Sequence, residues 1–203
     1  MKRNYQKELD LLIQHNEANN IVPTLLLHSC CAPCSSYVIE YLSNFFNITV
    51  LYFNPNIGEE KEYFKRRDEQ KRLIGEMKTK HSVKFINGDY NPSDFYNAVK
   101  GLENEPERGK RCSVCFSVRL SYTAKVAEEK NFDYFATTLT LSPLKNAEVI
   151  NTIGENIPCK SKYLATDFKK KEGYKRSIVL SHQYNLYRQN YCGCVFSKRQ
   201  SEK

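Results

Sequence analysis

The chain has 203 residues, of which 40% are hydrophobic and 12% aromatic, a composition that suits one globular domain over residues 1–203 and excludes a disordered protein. No run approaches the ~20 apolar residues of a membrane span, and the polar residues between Glu8 and Glu17 argue against a signal peptide, so the cytoplasm is expected. In that reducing compartment the eight cysteines are expected to serve metal or redox chemistry and not structural disulfides.

The predicted elements alternate between helices and strands. Strands, indicated by short apolar and β-branched runs, are expected at 24–28, 48–53, 83–86 and 132–137. Helices, indicated by apolar residues three and four positions apart, are expected at 5–13, 33–45, 59–80, 93–99, 112–130 and 144–153. This alternation predicts a single Rossmann-like α/β domain, a parallel sheet flanked by helices. In such a sheet the reactive groups lie beyond the carboxyl ends of the strands.

The net charge of +8 comes from the end of the chain. Residues 1–159 carry 20 basic and 20 acidic side chains, whereas residues 160–203 carry 11 basic and 3 acidic ones. Seven aromatic residues are interleaved with them, namely Tyr163, Phe168, Tyr174, Tyr184, Tyr187, Tyr191 and Phe196. Such rings either fill a core or stack on unpaired bases. The segment is therefore either a nucleic-acid surface or an ordinary basic surface over an aromatic core, and charge alone does not separate the two.

The cysteine spacing indicates a metal site. Cys31 and Cys34 form one Cys-x-x-Cys pair, Cys112 and Cys115 form another, and Cys30 is adjacent to the first. Four thiolates can close a tetrahedral zinc site or hold a [4Fe–4S] cluster, and spacing alone would choose the two pairs. The adjacent Cys30 and Cys31 favour iron–sulfur, because neighbours that crowd one small ion can reach two irons of a cluster. A zinc staple or a set of reduced buried thiols stays open, although a chain of this length needs no zinc to fold.

A third pair, Cys192 and Cys194, is separated by Gly193. A disulfide across one residue closes a small strained ring, and strained disulfides are the labile, redox-active ones. Gly193 supplies the backbone freedom that such a ring needs. The alternative is two ordinary thiols near the terminus. Cys159 has no partner in sequence and is treated as a bystander.

Five segments together resemble a known family. They are LLLHSCCAPC at 25–34, YFNPNI at 52–57, RCSVCF at 111–116, TTLTLSP at 137–143 and YRQNYCGC at 187–194. In combination they are similar to the epoxyqueuosine reductases of the QueH type. The resemblance implies an enzyme that removes the epoxide oxygen of epoxyqueuosine in tRNA, the last step of queuosine formation, without cobalamin. It also implies a fold resembling that of the adenine nucleotide alpha hydrolase-like proteins.

The resemblance also implies which cysteines act. A [4Fe–4S] cluster would be held by Cys30, Cys31, Cys112 and Cys115, and Cys192 with Cys194 would form a redox-active disulfide. The fourth ligand moves from Cys34 to Cys30. Cys34 is then expected in the first turn of a helix, where the dipole lowers the pKa of a thiol, and could serve a mononuclear metal beside the cluster.

The substrate chemistry suggests a mechanism. Turning an epoxide into an alkene and water takes two electrons and two protons, whereas a cluster passes one electron at a time. We expect an open metal position to polarise the epoxide oxygen, while the cluster and the Cys192 and Cys194 dithiol, fed by an unidentified donor, supply electrons. A base in an anticodon loop can be splayed into a pocket. The expected phosphate contacts are Lys169, Lys170, Lys171, Lys175, Arg176 and Arg188.

Two other functions fit parts of this pattern. An ATP-dependent tRNA-modifying enzyme would share the α/β plan, but it needs a glycine-rich phosphate loop after the first strand, and residues 29–36 contain no glycine. A zinc-dependent RNA-binding module would explain the basic segment and the two Cys-x-x-Cys pairs. It leaves Cys30 and the Cys-Gly-Cys motif unexplained.

Overall fold

The computed structural model describes residues 3–201. The predicted domain and its basic segment also include residues 1–2 and 202–203, which lie outside the described residues. Five parallel strands form one sheet in the order β3-β2-β1-β4-β5. They are β1 Thr24–His28, β2 Asn47–Tyr52, β3 Val83–Asn87, β4 Tyr134–Thr137 and β5 Lys162–Tyr163. The prediction of an α/β fold with a parallel sheet is confirmed.

The helices connect these strands and cover the sheet. They are α1 Tyr5–Ala18, α2 Ala32–Leu42, α3 Glu60–Glu76, α4 Pro92–Ala98, α5 Lys110–Glu129, a 3₁₀ turn at Thr138–Leu141, α6 Ala147–Glu155, α7 Gly173–Gln183 and α8 Val195–Ser201. No helix in the described range 3–201 is long and apolar enough to span a bilayer.

Strand β1 is the central strand and is covered on both faces. Leu25, Leu26 and Leu27 are fully buried, which explains why the run is continuously apolar and does not alternate. One face packs on α1, α2 and α7, and the other face packs on α5. Because β1 pairs with both β2 and β4, the strand order reverses there, and ligands of open α/β sheets bind at such a reversal. The first cysteine turn leaves the sheet at this point.

The largest departures from the predicted elements lie in the C-terminal segment. Strand β5 and helices α7 and α8 were not predicted, since a two-residue strand carries no periodicity and the helices are short and rich in polar residues. Helix α6 begins at Ala147 and not at 144, because the side chain of Asn146 accepts from the Glu148 amide at 2.9 Å and caps the helix.

Candidate metal and thiol site

The turn after β1 brings three cysteine sulfurs together. Cys30, Cys31 and Cys34 place their Sγ atoms within 4.8 Å of one another, and those of Cys30 and Cys31 are 3.8 Å apart. Cys31 is the N-cap of α2, and Pro33 occupies the second helical position, one later than expected. Three thiols at this separation could hold a metal ion.

Buried hydrogen bonds hold this turn from several elements. Gln70 of α3 accepts from the hydroxyls of Ser29 at 2.6 Å and Ser35 at 2.5 Å, and Asn54 donates to the Ser29 carbonyl at 2.9 Å. Ser29, Ser35 and Gln70 are fully buried. The position of the thiols is therefore set by α3 and the end of β2 as well as by the turn itself, as expected of a preorganised site.

The three thiols titrate as a coupled group. Hydrogen bonds from the Cys31 and Cys34 thiols lower the pKa of Cys30 well below its usual range. The same contacts raise the pKa of Cys34 well above that range, with burial adding to the effect. The pKa of Cys34 is thus raised, and not lowered as expected from the helix dipole, because its thiol is hydrogen-bonded to Cys30 and Cys31 and buried. Cys30 is therefore the most acidic of the three thiols.

The first turns of α5 carry the second pair. Cys112 Sγ accepts from the Arg108 amide at 3.2 Å, and Cys115 is buried, which raises the pKa of its thiol to about 12. Both line a small cavity of about 20 Å³ together with Cys192 and Cys194. The structure thus places the Cys-Gly-Cys motif beside the second cysteine pair, although about 80 residues of chain separate them.

Cys192 and Cys194 are free thiols here, so their pairing as a disulfide stays a prediction. Gly193 between them has a φ of +123°, and a Cβ there would lie 2.8 Å from Ile57 Cγ1. Both the backbone conformation and the close packing against Ile57 therefore require glycine at position 193. The turn is held in place because the Cys192 amide donates to Ser197 Oγ at 3.1 Å.

The two thiol groups meet at a larger cavity of about 270 Å³ at the carboxyl end of the sheet. Cys31, Cys34 and Cys192 all line it, and Cys192 lines the small cavity as well. Within residues 3–201, Cys112 and Cys115 do not join the first three sulfurs at single-ion distance. Within the described residues, the two Cys-x-x-Cys pairs therefore do not converge at the distance that a single zinc ion requires. Ligands of a cluster need no such closeness, because each binds a different iron.

Two buried arginines beside these thiols have nitrogen atoms without a hydrogen-bond acceptor. Arg119 is 1% exposed; it donates to the Cys115 carbonyl at 3.3 Å, and its Nη2 has no acceptor within the described part of the chain. Arg111, 2% exposed, likewise has an unpartnered Nε. Both line the small cavity. Buried donors without acceptors are costly, and an anionic cluster rich in sulfur would supply acceptors, so the residues fit one.

Sequence reasoning missed Arg119. The signal was available, because Arg119 lies seven residues after Cys112, two helical turns along the same face of α5. A charged residue on the cysteine face of a helix, next to the apolar Phe116 and Leu120, indicates a buried partner.

The six residues predicted to contact phosphates differ in whether they form ion pairs within the chain. Four form ion pairs within the chain: Lys169 with Asp167 at 2.8 Å, Lys171 with Asp10 at 2.7 Å, Lys175 with Glu172 at 2.5 Å and Arg176 with Glu40 at 2.6 Å. Lys170 and Arg188 have no carboxylate partner among residues 3–201, and Arg188 lines the larger cavity. Their contact with RNA stays a prediction. Lys145, which the sequence did not single out, lines the same cavity.

The region that carries this site matches a known family. The family model for epoxyqueuosine reductase QueH matches residues 25–200. The chain belongs to the epoxyqueuosine reductase QueH family. It is 44% identical over 202 residues to the Streptococcus pyogenes serotype M1 protein of that name, covering 98% of this chain and 79% of that protein.

Two further QueH relatives show the same extent of similarity. The protein of Staphylococcus epidermidis is 45% identical over 202 residues, covering 97% of this chain and 85% of the relative. That of Thermotoga maritima is 36% identical over 182 residues, covering 86% and 90%. The matched residues 25–200 include all eight cysteines, so the family region and the thiol site coincide. The resemblance inferred from the sequence is confirmed.

Proposed function

We propose that the protein is an oxidoreductase that reduces epoxyqueuosine to queuosine in tRNA, the last step of queuosine biosynthesis. Membership of the QueH family supports the reaction. The observation that carries it for this chain is the position of Cys192, which lines both the cavity shared with Cys31 and Cys34 and the one shared with Cys112 and Cys115. A dithiol next to both thiol groups is the arrangement that a two-electron reduction needs.

The proposed cofactor is a [4Fe–4S] cluster on Cys30, Cys31, Cys112 and Cys115, which would supply electrons one at a time. Cys30 and Cys112 pack against the same apolar cluster, so the two halves of the ligand set approach each other. The unpartnered donors of Arg119 and Arg111 support a negatively charged occupant. Cys34, which is within 4.8 Å of Cys30 and Cys31, remains for an adjacent mononuclear metal.

The dithiol can supply the two electrons and two protons that the reaction consumes. Oxidation of Cys192 and Cys194 to a disulfide breaks two S–H bonds, forms one S–S bond and releases two electrons and two protons. Loss of the epoxide oxygen as water, with a C=C bond formed, consumes the same number. An external donor, unidentified here, must reduce the disulfide before the next turnover. The cytoplasm, which we propose as the location of the protein, is a reducing compartment and would keep that reaction favourable.

A carboxylate lies beside the dithiol at both cavities. Ser197 Oγ accepts from the Cys192 amide at 3.1 Å and donates to Glu107 Oε1 at 3.4 Å. Glu107, Ser197 and Cys192 all line both cavities. We propose Glu107, which lines both cavities beside Cys192, as the group that accepts a proton released when the dithiol is oxidised.

Metal analysis tests the cofactor. The protein is purified without oxygen and assayed for iron, acid-labile sulfide and zinc. We expect about four irons and four sulfides per chain, as a [4Fe–4S] cluster requires. A colourless protein that contains zinc and no sulfide would overturn the proposal.

Turnover tests the dithiol. Cys192→Ser is compared with Cys159→Ser, whose thiol donates to the Ala124 carbonyl at 3.3 Å away from both cavities. With epoxyqueuosine tRNA and excess reductant, nucleoside mass spectrometry should show continued turnover for Cys159→Ser and at most one turnover for Cys192→Ser. Equal steady-state rates in the two variants would contradict the role of the pair.

A further inference from the structure

The aromatic residues of the basic segment are not equivalent. Six of the seven are buried or half-buried, and most of these contact the body of the protein. Tyr163 packs on Phe135 with ring centroids 5.2 Å apart, and the Tyr191 ring lies 5.0 Å from the Arg66 guanidinium. Tyr174 differs. It is 37% exposed, and within the described residues its side chain has no ring partner and no hydrogen bond.

This free ring lies at the mouth of the thiol cavity. Tyr174 lines the cavity of about 270 Å³ whose inner wall carries the buried Cys31. Leu144, 54% exposed, lines the same cavity. An aromatic ring and an aliphatic side chain at one cavity offer a flat ligand a surface on which to stack.

The charge at this entrance favours an anion. Lys145 and Arg188 line the cavity, and neither has a carboxylate partner within the described side chains. Lys145 is half-buried, and although burial by itself lowers its pKa, the nearby Cys192, Cys30 and Cys34 sulfurs raise that pKa overall, so it lies on the thiol side of the cavity. The cavity wall also carries one carboxylate, Glu107, so the two cations leave an excess of positive charge there. This contrasts with the rest of the basic segment, where four of the six predicted phosphate contacts are neutralised within the chain. Two cations without a carboxylate partner thus line the same cavity as the exposed ring, although Arg188 also donates to Ser181 Oγ at 3.1 Å.

We propose that Tyr174, Leu144, Lys145 and Arg188 form a platform for an unpaired nucleotide of an RNA loop that flanks the reacting one. The base stacks on the Tyr174 ring beside Leu144, and the phosphates accept hydrogen bonds from Lys145 and Arg188. Only unpaired nucleotides offer a free base face, so the platform selects a loop over a duplex. This platform rests on the proposed function, since it places the target nucleoside in the thiol cavity.

Binding of RNA to the anaerobically purified full chain tests the platform. The probes are a fluorescent RNA hairpin with an unpaired loop and an RNA duplex of the same total length, titrated by anisotropy. Tyr174→Ala should weaken hairpin binding about ten- to a hundredfold, as loss of one stacked base does, whereas Tyr174→Phe should bind like the wild type. Tyr96→Ala is the matched control, because Tyr96 is 40% exposed and lines neither thiol cavity.

The salt dependence separates the ring from the cations. Arg188→Ala should reduce the slope of log affinity against log salt by about 0.7, the value for one single-strand phosphate contact, and Tyr174→Ala should leave it unchanged. Unchanged hairpin affinity in Tyr174→Ala, or equal binding of duplex and hairpin, would overturn the platform. Activity distinguishes the two proposals: a wild type that reduces epoxyqueuosine while Tyr174→Ala binds normally refutes the platform alone, and selective hairpin binding without reduction refutes the reaction alone.

Discussion

The Thr138 hydroxyl is hydrogen-bonded to both the backbone amide and the sulfur of Cys30. Thr138 Oγ1 accepts from the Cys30 amide at 3.3 Å and donates to Cys30 Sγ at 3.5 Å. The register of the sheet produces this contact, since His28 of β1 pairs with Thr137 of β4 and the chain leaves both strands at the same edge. Thr138 is fully buried, so the contact is shielded from water. The residue that follows β4 therefore positions the cysteine sulfur that follows β1.

We expect Thr138→Val to shift the midpoint potential of the proposed [4Fe–4S] cluster to more negative values. A hydrogen bond to a ligand sulfur favours the reduced, more negative state, so its loss shifts the one-electron equilibrium by up to about tenfold, or about 59 mV. The matched control is Thr140→Val, another buried threonine whose hydroxyl bonds Thr166 Oγ1 at 2.9 Å. Redox titration followed by electron paramagnetic resonance measures the shift. Equal potentials in the two variants would show that the Thr138 hydroxyl does not act on the sulfur.

The Cys34→Ser variant should show whether Cys34 binds the cluster or a second, adjacent metal. If Cys30 and Cys31 are the ligands from the first turn, the variant keeps the visible absorption and about four irons of a [4Fe–4S] cluster, and it loses only metal in excess of these. Cys31→Ser should lose the cluster, and Cys159→Ser should lose nothing. Iron and sulfide assays on the three anaerobic proteins decide the question. Loss of the cluster in Cys34→Ser would return Cys34 to the ligand set.

His28 should make the protein sensitive to acid. It is fully buried, and burial lowers its pKa to about 3. In the unfolded chain a histidine takes up a proton at about pH 6.5. The unfolded state therefore binds more protons between these values, and stability is complete above about pH 6.5 and falls as the pH drops toward 3. The expected loss from this group is about 2 kcal/mol between pH 7 and pH 5.

Urea unfolding at pH 7 and pH 5 measures this loss, with His28→Gln as the comparison that lacks the titrating group. Nitrogen-15 shifts of the imidazole give a second measure that needs no variant. Because Thr137 Oγ1 accepts from the Leu139 amide at 3.1 Å, its hydroxyl proton points to His28 Nδ1, and Nε2 donates to the Phe53 carbonyl at 3.1 Å. We expect a neutral ring protonated on Nε2 at pH 5. A charged ring at that pH would contradict the assignment.

Two glycine substitutions should change stability in opposite directions. A Cβ at Gly173 would collide with the Phe168 carbonyl and the Tyr37 ring, so Gly173→Ala should destabilise the start of α7 by about 1–3 kcal/mol. Gly75 lies in α3 with open space around it, so Gly75→Ala should stabilise the protein by about 0.5–1 kcal/mol. Thermal unfolding measures both. A stabilising Gly173→Ala would mean that α7 docks differently.

Much of the site could be predicted because it is local. The apolar run of β1, the cysteines that follow it and Pro33 in the first turn of α2 are specified within residues 24–42, and the structure agrees with them to within a residue. The pairs Cys31 with Cys34 and Cys112 with Cys115 are likewise local, since each spans one helical turn. Family membership could also be recognised from these short motifs in combination.

Contacts between residues that are distant in the sequence depend on the tertiary structure. The sequence by itself determined the strand-turn-helix unit, the cysteine pairs and an excess of basic residues at the C-terminus. Only the packed chain paired Arg176 with Glu40 and left Arg188 and Tyr174 at the thiol cavity. The physical reason is that periodicity and spacing act over a few residues, whereas a contact across more than a hundred residues depends on how the helices dock on the sheet.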